Sequence, residues 1–527
     1  MIATLISRII GLVYRRPLGE VLGAVGLGYY GYASNLYSIL LLISSYSIPM
    51  AISKIISGKL AKGEYKNSRK IFKGALIYAL VVGSIAALVA FFGGGILLPA
   101  NQQNAVPALR MLAPAIFLSA ILGVLRGYFQ AHHNMTPTAV SQIFEQIMNA
   151  IVSIVAAWLL IKNFAPNGGT AESIYGSVGG TMGTLAGVIT ALVFMLFVYN
   201  INRPVIRKRC LSDRHKKEDS YRDVFIMIFT MMTPVILTTF INNAGSYADS
   251  YLYAGILGMK GISADSISAA YGEFSNYYMP IVNIPLALAS ASSSAMMPEV
   301  SGAYAVKQYD TANGQITKTI RMTMFICIPS TVGLTVLAFP IMGVLFPAAS
   351  EIASKLLMTG AIYVIFASLC TVTGCALQAI GKQQIAMINA AIALGVNIAV
   401  LAIMLMVAPG MDIYAVMVAN VIYAVAYCVL NAISIRKYLG FRNELKQTYA
   451  EPLMASAGMA VVAIAVYYAL FALLRRPFIG LVVAIIAAIM AYLILYVLIG
   501  KVSEDELRRY PMGGMLVKAL KIIKIYR

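Results

Sequence analysis

The stretch GYASNLY at residues 31–37 recurs later in the chain as GEFSNYY at residues 272–278, which preserves the pattern G-x-x-S-N-x-Y. Two more matches follow in the same order: residues 57–65 pair with 301–309 (Ser-Gly, then Ala, then Tyr), and residues 130–149 pair with 378–397 (Gln-Ala, then Asn). The separation between the copies grows by only a few residues, as small loop insertions would produce. Three ordered matches indicate an internal repeat.

Long apolar segments surround these matches. The chain of 527 residues is 60% hydrophobic and 11% charged, with a mean hydropathy of +0.81, whereas a soluble domain carries about 25% charged residues. Segments of about 20 apolar residues, the length that crosses a bilayer, begin near Met1, Tyr29, Ile71, Ala105, Pro137, Val178, Val224, Tyr271, Ile320, Ile352, Ile385, Ile413, Pro452 and Phe478. Backbone groups in hydrocarbon must bond internally, so we predict an all-α integral membrane protein with about fourteen spanning helices.

The repeat and the helix count together predict two pseudo-symmetric six-helix lobes. An even number of helices separates the copies, so both lobes enter the membrane in the same, parallel sense. The predicted segments are an N-terminal lobe, a basic cytoplasmic linker, a C-terminal lobe, two further helices and an amphipathic basic tail, at residues 1–201, 202–223, 224–438, 439–500 and 501–527. Parallel repeats usually hold a transport site between them, so the pattern predicts a carrier.

The net charge of +20 follows the membrane topology and does not indicate a nucleic-acid-binding protein, because the basic residues form short runs between apolar segments and match no reader motif. Roughly 30 of the 40 Lys and Arg residues fall in alternate loops and the C-terminal tail, against roughly eight in the other loops. This bias predicts a plasma-membrane protein with both termini in the cytoplasm. The tail is expected to lie on the anionic leaflet, with a solvated basic tail as the alternative.

Ionisable groups inside spanning helices cost several kcal/mol, so each is a functional candidate. The cationic candidates, which suit a phosphate-bearing ligand, are Arg8, Arg15, Arg16 and Lys54. The polar candidates for a cavity or for ion coupling are Asn35, Glu145, Asp249, Glu273 and Asn276. Each group also has an alternative to a functional role. Arg15, Arg16 and Lys54 would reach the lipid headgroups as membrane anchors, and Glu145 would be a neutral packing residue.

The sequence contains no catalytic or metal-binding motif. A Walker A loop, a G-x-S-x-G elbow and an H-E-x-x-H pattern are all missing, and the five cysteines show no C-x-x-C spacing. We therefore predict a carrier rather than an enzyme, without a cofactor, and driven by the membrane potential, H⁺, Na⁺ or substrate flow.

Five stretches carry a resemblance to a known family. They are SRIIGLVYR (7–15), IPMAISK (48–54), PTAVSQIFEQ (137–146), PLAL with MP (285–298) and LQAIGKQ (377–383). Together they resemble flippases of the multidrug/oligosaccharidyl-lipid/polysaccharide superfamily, in the branch of stage V sporulation protein B and the Gram-positive lipid II flippases. The likeness extends over essentially the whole chain.

This resemblance implies a cationic central cavity and export of an undecaprenyl-pyrophosphate-linked cell-wall precursor, foremost lipid II, from the inner to the outer leaflet. It implies pyrophosphate contact by Arg8, Arg15 and Lys54, membrane lipids as partners, and association with the cell-wall synthesis machinery. The alternatives are a flippase for another lipid-linked oligosaccharide and a cation-coupled multidrug exporter of the same fold.

Two features depart from that family. Its members often carry a cavity arginine in helix 8, where this sequence offers only Glu273. The first helix is also short, because residues 1–14 span roughly 21 Å at 1.5 Å per residue. The sequence therefore leads us to expect further residues upstream of Met1 or an incomplete first helix.

Overall fold

The chain is helical in the computed structural model, which describes residues 10–46, 48–132, 134–211, 213, 219–408, 410–441 and 444–500. Its α-helices are α1 (Arg15–Leu41), α2 (Ile48–Ala61), α3 (Tyr65–Leu97), α4 (Val106–Ala131), α5 (Thr136–Phe164), α6 (Thr170–Leu211), α7 (Tyr221–Met259), α8 (Ala264–Glu273), α9 (Met279–Ala305), α10 (Tyr309–Val336), α11 (Ala338–Leu345), α12 (Glu351–Gly360), α13 (Tyr363–Ala379), α14 (Gln383–Val407), α15 (Asp412–Leu439), α16 (Glu451–Leu474) and α17 (Pro477–Gly500). Short π-helical segments occupy Leu42–Tyr46, Phe274–Tyr278 and Lys446–Ala450, and Ala100–Ala105 forms a 3-10 turn.

Eleven helical stretches of the described residues are long and apolar enough to cross a membrane. The pair α12–α13, bent by 52°, makes a twelfth when it is counted as one span. These twelve stretches correspond to twelve of the fourteen predicted spans. Of the two remaining predicted spans, the first lies mostly outside the described residues, and the seventh coincides with α7. The multi-span helical architecture is therefore confirmed, while the count of fourteen and the lobe arrangement stay predictions.

The second predicted span begins earlier than its apolar pattern indicates. The hydropathy places its start near Tyr29, whereas α1 begins at Arg15 and is kinked at Gly23. The φ of Gly23 is 65°, a conformation that residues with a Cβ rarely adopt. The turns before this kink carry Arg15, Arg16 and Glu20, which a hydropathy pattern assigns to a loop because charges are costly in hydrocarbon.

The internal repeat recurs in the helix boundaries. Helix α2 ends at Ala61 and α9 ends at its repeat partner Ala305, while α3 begins at Tyr65 and α10 at its partner Tyr309. The third match also falls at a helix end, because α4 and α13 both finish on the matched Gln-Ala pair. Equivalent positions of the two copies thus begin and end helices alike.

By packing, the chain divides into two compact units, Met1–Asn276 and Tyr277–Arg527. In the first unit α4 packs on α2 and α6, and α5 packs on α6; in the second, α13 packs on α9 and α15, and α14 packs on α15. These are the same pairs in repeat-equivalent positions. The division places α7 and α8 with the first unit, and residues 202–211 of the predicted linker are the last turns of α6. The predicted segment limits stay predictions, and the tail at 501–527 lies outside the described residues.

Candidate functional site

Helix α1 contains the first copy of the repeated motif, and α8 leads into the second. The two helices pack closely against each other within the first unit. Glycines make this approach possible, because a Cβ on Gly28 would lie 2.7 Å from the Cα of Ser268 and one on Gly272 would lie 2.6 Å from the nitrogen of Gly28. A Cβ on Gly31 would lie 2.6 Å from Oγ of Ser275. Gly28 and the motif glycines Gly31 and Gly272 therefore set the distance between these two backbones.

Arg15 binds across this helix crossing. Its Nη1 donates to the backbone oxygen of Asn276 at 3.0 Å, to that of Ser275 at 3.3 Å, and to Oδ1 of Asn276 at 3.4 Å. The buried Asn276 amide in turn donates to the backbone oxygen of Leu27 at 3.0 Å. These contacts hold the charged turns before Gly23 in helical form, which is why α1 extends beyond its apolar part.

The bonding of Arg15 leaves much of its guanidinium unused. A guanidinium carries five N–H donors in a planar fork, and the bonds given above all use Nη1. Its Nε and Nη2 have no hydrogen-bond partner among the described residues, and the side chain is only half-buried. One nitrogen therefore positions the side chain of Arg15, while Nε and Nη2 keep their donors for a further acceptor.

Asn35 links α1 to α7 and α8. Its Nδ2 donates to the backbone oxygen of Ser246 at 2.7 Å, to Oγ of Ser250 at 3.0 Å and to the hydroxyl of Tyr271 at 3.0 Å. The ring of Tyr271 stacks on that of Tyr32 with centroids 4.3 Å apart. Asn35, a predicted cavity residue, therefore makes interhelical hydrogen bonds in this structure.

We expect Asn35→Ala to lower the free energy of unfolding by about 1–2 kcal/mol, because interhelical hydrogen bonds in membranes contribute about 0.6 kcal/mol each and at most about 1.7. Equilibrium unfolding of the purified protein in detergent measures this loss. Asn243→Ala is the matched control, since among the described residues that exposed amide on α7 donates only to Thr239 of its own helix. Equal effects of the two substitutions would contradict the assigned role of Asn35.

Glu145 forms an ion pair with Arg126, between α5 and α4. The distance from Nη2 of Arg126 to Oε2 of Glu145 is 2.7 Å, and Nε of Arg126 donates to Oγ of Ser141 at 3.0 Å. The two charged side chains are only 14% and 24% exposed. Both helices are candidate spans, so the pair shields two charges from an apolar environment.

Sequence reasoning missed Arg126, because the predicted end of helix 4 left this arginine in a cytoplasmic loop. The structure places it inside α4, five residues before the helix ends at Ala131. A signal existed in the sequence: Arg126 lies in the apolar run ILGVLRGYF (121–129), and Glu145 is a second charge in the next apolar segment. Charges of opposite sign in neighbouring spans are candidates for a pair.

The other predicted residues lie in varied surroundings. Asp249 on α7 and Glu273 at the end of α8 are buried. Arg16 is exposed and pairs with Glu20 at 3.4 Å on its own helix, and Lys54 is exposed on α2. Arg8 lies outside the described residues. The structure thus joins Arg15 to Asn276, and it gives Glu145 a partner that the sequence analysis did not name.

The family described as polysaccharide biosynthesis protein matches residues 1–302. A curated relative, the lipid II flippase MurJ of Bacillus subtilis (strain 168), is 29% identical over 404 residues, which cover 74% of this chain and 73% of the relative. Stage V sporulation protein B of the same organism is 24% identical over 519 residues, covering 98% of this chain and 97% of the relative.

Solved structures share the fold. A lipid II flippase MurJ in an inward closed conformation superposes with a TM-score of 0.66 at 17% identity, covering 94% of this chain and 97% of that one. An inward-facing multidrug resistance MATE family transporter of the MOP superfamily gives a TM-score of 0.62 at 14% identity, covering 82% and 94%. At these identities the likeness establishes the fold alone.

The helices and the relatives agree on the class of protein. Many apolar helices of spanning length, together with curated relatives named as a flippase and a sporulation protein, identify a multi-pass membrane protein of the flippase and transporter class and not an enzyme. The predicted resemblance to stage V sporulation protein B and the lipid II flippases is confirmed by these relatives. The match over residues 1–302, more than half of the chain, shows that this protein belongs to the polysaccharide biosynthesis protein family.

Proposed function

We propose that this protein is a secondary transporter that flips an undecaprenyl-pyrophosphate-linked cell-wall precursor, lipid II, from the inner to the outer leaflet by alternating access. The substrate class is supported by a relative named as a lipid II flippase and by a chain rich in candidate cations. In this proposal both termini face the cytoplasm, transport is coupled to the membrane potential, H⁺ or Na⁺, and the cell-wall synthesis machinery is a partner.

The single observation that carries the proposal is the bonding of Arg15. One guanidinium nitrogen is fixed to the backbone of Ser275 and Asn276, so the fork has a set orientation without a neutralising carboxylate in these contacts. Arginine matches phosphate oxygens bidentately. In the proposal the pyrophosphate binds Arg15, with Arg8 and Lys54 completing the cationic set.

The test uses cells depleted of their own lipid II flippase and measures lipid II exposed on the outer leaflet. We expect Arg15→Ala to lower exposure by about 10- to 100-fold, because a hydrogen bond to a charged group contributes about 1.5–3 kcal/mol. Arg8→Ala and Lys54→Ala are expected to lower it as well. Arg110→Ala is the control, since this exposed arginine on α4 contacts only Phe91 in the described structure.

The outcomes separate the candidate functions. Unchanged exposure in all three variants at normal expression would refute the cationic site. Failure of the parental protein to restore growth, in a strain whose lipid II flippase is missing, would favour another lipid-linked oligosaccharide. Loss of activity on replacing Glu145, Asp249 or Glu273, with the cations dispensable, would favour the cation-coupled exporter that the shared fold admits.

A further inference from the structure

The beginning of α3 carries a cluster of cations that lines a cavity. Lys66, Arg69, Lys70 and Lys73 occupy positions i, i+3, i+4 and i+7 of the helix and so lie on one face. With Tyr221 and Cys210 they line a cavity of about 360 Å³, which we call the basic pocket. All these residues belong to the first unit. The volume falls in the range of small-molecule sites, about 300–1,000 Å³.

The exposed face of α3 places the basic pocket at the level of the lipid headgroups. Exposed large apolar side chains on this helix begin at Ile77 and end at Ile96, a distance of about 29 Å at 1.5 Å per residue. The hydrocarbon core of a bilayer is about 30 Å thick, so Lys73 and the cations before it lie beyond its edge. Tyr221 is also exposed and lies 5.0 Å from Nζ of Lys70, as is typical of interfacial aromatic residues.

A second cavity of about 200 Å³ adjoins the basic pocket and shares Arg69 and Cys210 with it. Its lining is mixed, with apolar side chains such as Leu60, Phe129 and Val205 and polar ones such as His132 and Asn202. A charged cavity beside one whose wall is partly apolar has the form that an amphiphile requires.

Carboxylates beside the pocket bind the ends of α2 and α3. Glu64 and Asp219 both bind Nζ of Lys59, at 2.8 and 2.7 Å, and the hydrogen bond from Lys59 holds the pKa of Glu64 below its usual value. Asp213 accepts a hydrogen bond from the backbone nitrogen of Lys66 at 2.8 Å. These contacts join Asp213 to the start of α3 and Asp219 to the end of α2.

The internal repeat shows that the fold does not require these cations. In the second copy, α10 begins at the repeat partner of the residue that begins α3. The positions of α10 that correspond to the four cations are Asp310, Asn313, Gly314 and Thr317. An equivalent helix therefore forms without a basic residue at these positions, so helix formation does not require the cluster.

We propose that the basic pocket binds the phosphate of an anionic phospholipid headgroup, with the first carbons of an acyl chain in the adjoining cavity. This lipid is separate from the transported substrate, and the site lies apart from Arg15. Four cations at the edge of a leaflet attract anionic lipids over zwitterionic ones, since each contributes independently to the attraction.

Binding to the purified full-length protein in detergent tests this site, with native mass spectrometry as the readout and phosphatidylglycerol and phosphatidylcholine as probes. We expect the double substitution Arg69→Gln/Lys73→Gln to weaken phosphatidylglycerol binding by roughly 20-fold, from the usual contribution of a cation near an anionic leaflet. Lys307→Gln/Lys318→Gln removes the same charge from exposed positions around the start of α10 and is expected to change binding by less than about twofold.

The melting temperature of each variant without lipid checks its folding. If the double variant fails to fold, the single variants Lys66→Gln and Lys73→Gln at exposed positions replace it. Each is expected to weaken phosphatidylglycerol binding by about fivefold. If the Arg69→Gln/Lys73→Gln protein binds phosphatidylglycerol as tightly as the parental protein does, the proposal is overturned. Equal loss in the control pair also overturns it, because attraction would then be general. If inorganic phosphate raises the melting temperature of the parental protein as far as phosphatidylglycerol does, the ligand is a free anion and the lipid is refuted.

Discussion

Replacing Glu145 by alanine is expected to lower the free energy of unfolding by about 3–5 kcal/mol, because it leaves Arg126 as an uncompensated charge between α4 and α5. The side chain of Arg126 is 14% exposed, and its Nη2 has a carboxylate partner at 2.7 Å. Ser141 remains to accept from Nε, but a hydroxyl does not neutralise the charge. Equilibrium unfolding in detergent measures the loss.

The matched control is the double substitution Arg126→Met/Glu145→Met, which removes both charges and keeps side chains of comparable volume. We expect it to be within about 1 kcal/mol of the parental protein, because apolar replacement of a buried pair is often neutral or stabilising. The double variant also examines the predicted coupling role of Glu145: normal lipid II exposure in that folded protein would show that Glu145 only balances Arg126. A Glu145→Ala protein as stable as the parent would refute the ion pair.

Gly28→Ala is expected to cost about 3 kcal/mol of stability, at the upper end of the usual range for overpacking. A Cβ at this position would lie 2.7 Å from the Cα of Ser268, and a backbone atom cannot turn away as a flexible side chain does. Helices α1 and α8 would have to separate. The hydrogen bonds from Arg15 to Ser275 and Asn276 cross the same interface, so lipid II exposure should fall together with the melting temperature.

Gly255→Ala provides the comparison, because a Cβ at this position of α7 would have no described atom within 4 Å beyond the adjacent backbone of its own helix. There the better helix propensity of alanine should stabilise the protein by up to about 1 kcal/mol. Opposite signs for two identical substitutions would attribute the cost at Gly28 to the helix contact. Similar melting temperatures for both variants would show that α1 and α8 do not pack as described.

Much of the architecture could be predicted because it depends on local patterns. The length of apolar segments predicts spanning helices, and twelve predicted spans have counterparts in the structure. The repeat predicts equivalent positions, and Tyr65 and Tyr309 do begin equivalent helices. The family could be inferred from short motifs, and the match over residues 1–302 confirms it.

The site could be predicted only as a set of residues and not as a set of contacts. The sequence names Arg15 as a candidate. Its hydrogen bond to Asn276, however, joins residues near opposite ends of the sequence of the first unit. Arg126 was missed because the end of helix 4 was placed too early, although its partner Glu145 was named. In the sequence, the four cations of the basic pocket are only charges of a predicted loop. The cavity itself also needs Tyr221 and Cys210, which lie far away along the chain.

By itself, the sequence determined that this protein is helical, membrane-embedded, internally repeated and a member of a transporter family, because hydropathy, repeat spacing and motifs are properties of neighbouring or matched residues. Only the tertiary structure decided that the repeated motif marks the α1–α8 crossing, where glycines allow the contact and Arg15 binds. The physical reason is the energetic cost of a charge in an apolar medium. Whether a charged residue lies in a helix, lies in a loop or forms an ion pair depends on its partners. The tertiary fold determines which residues those partners are.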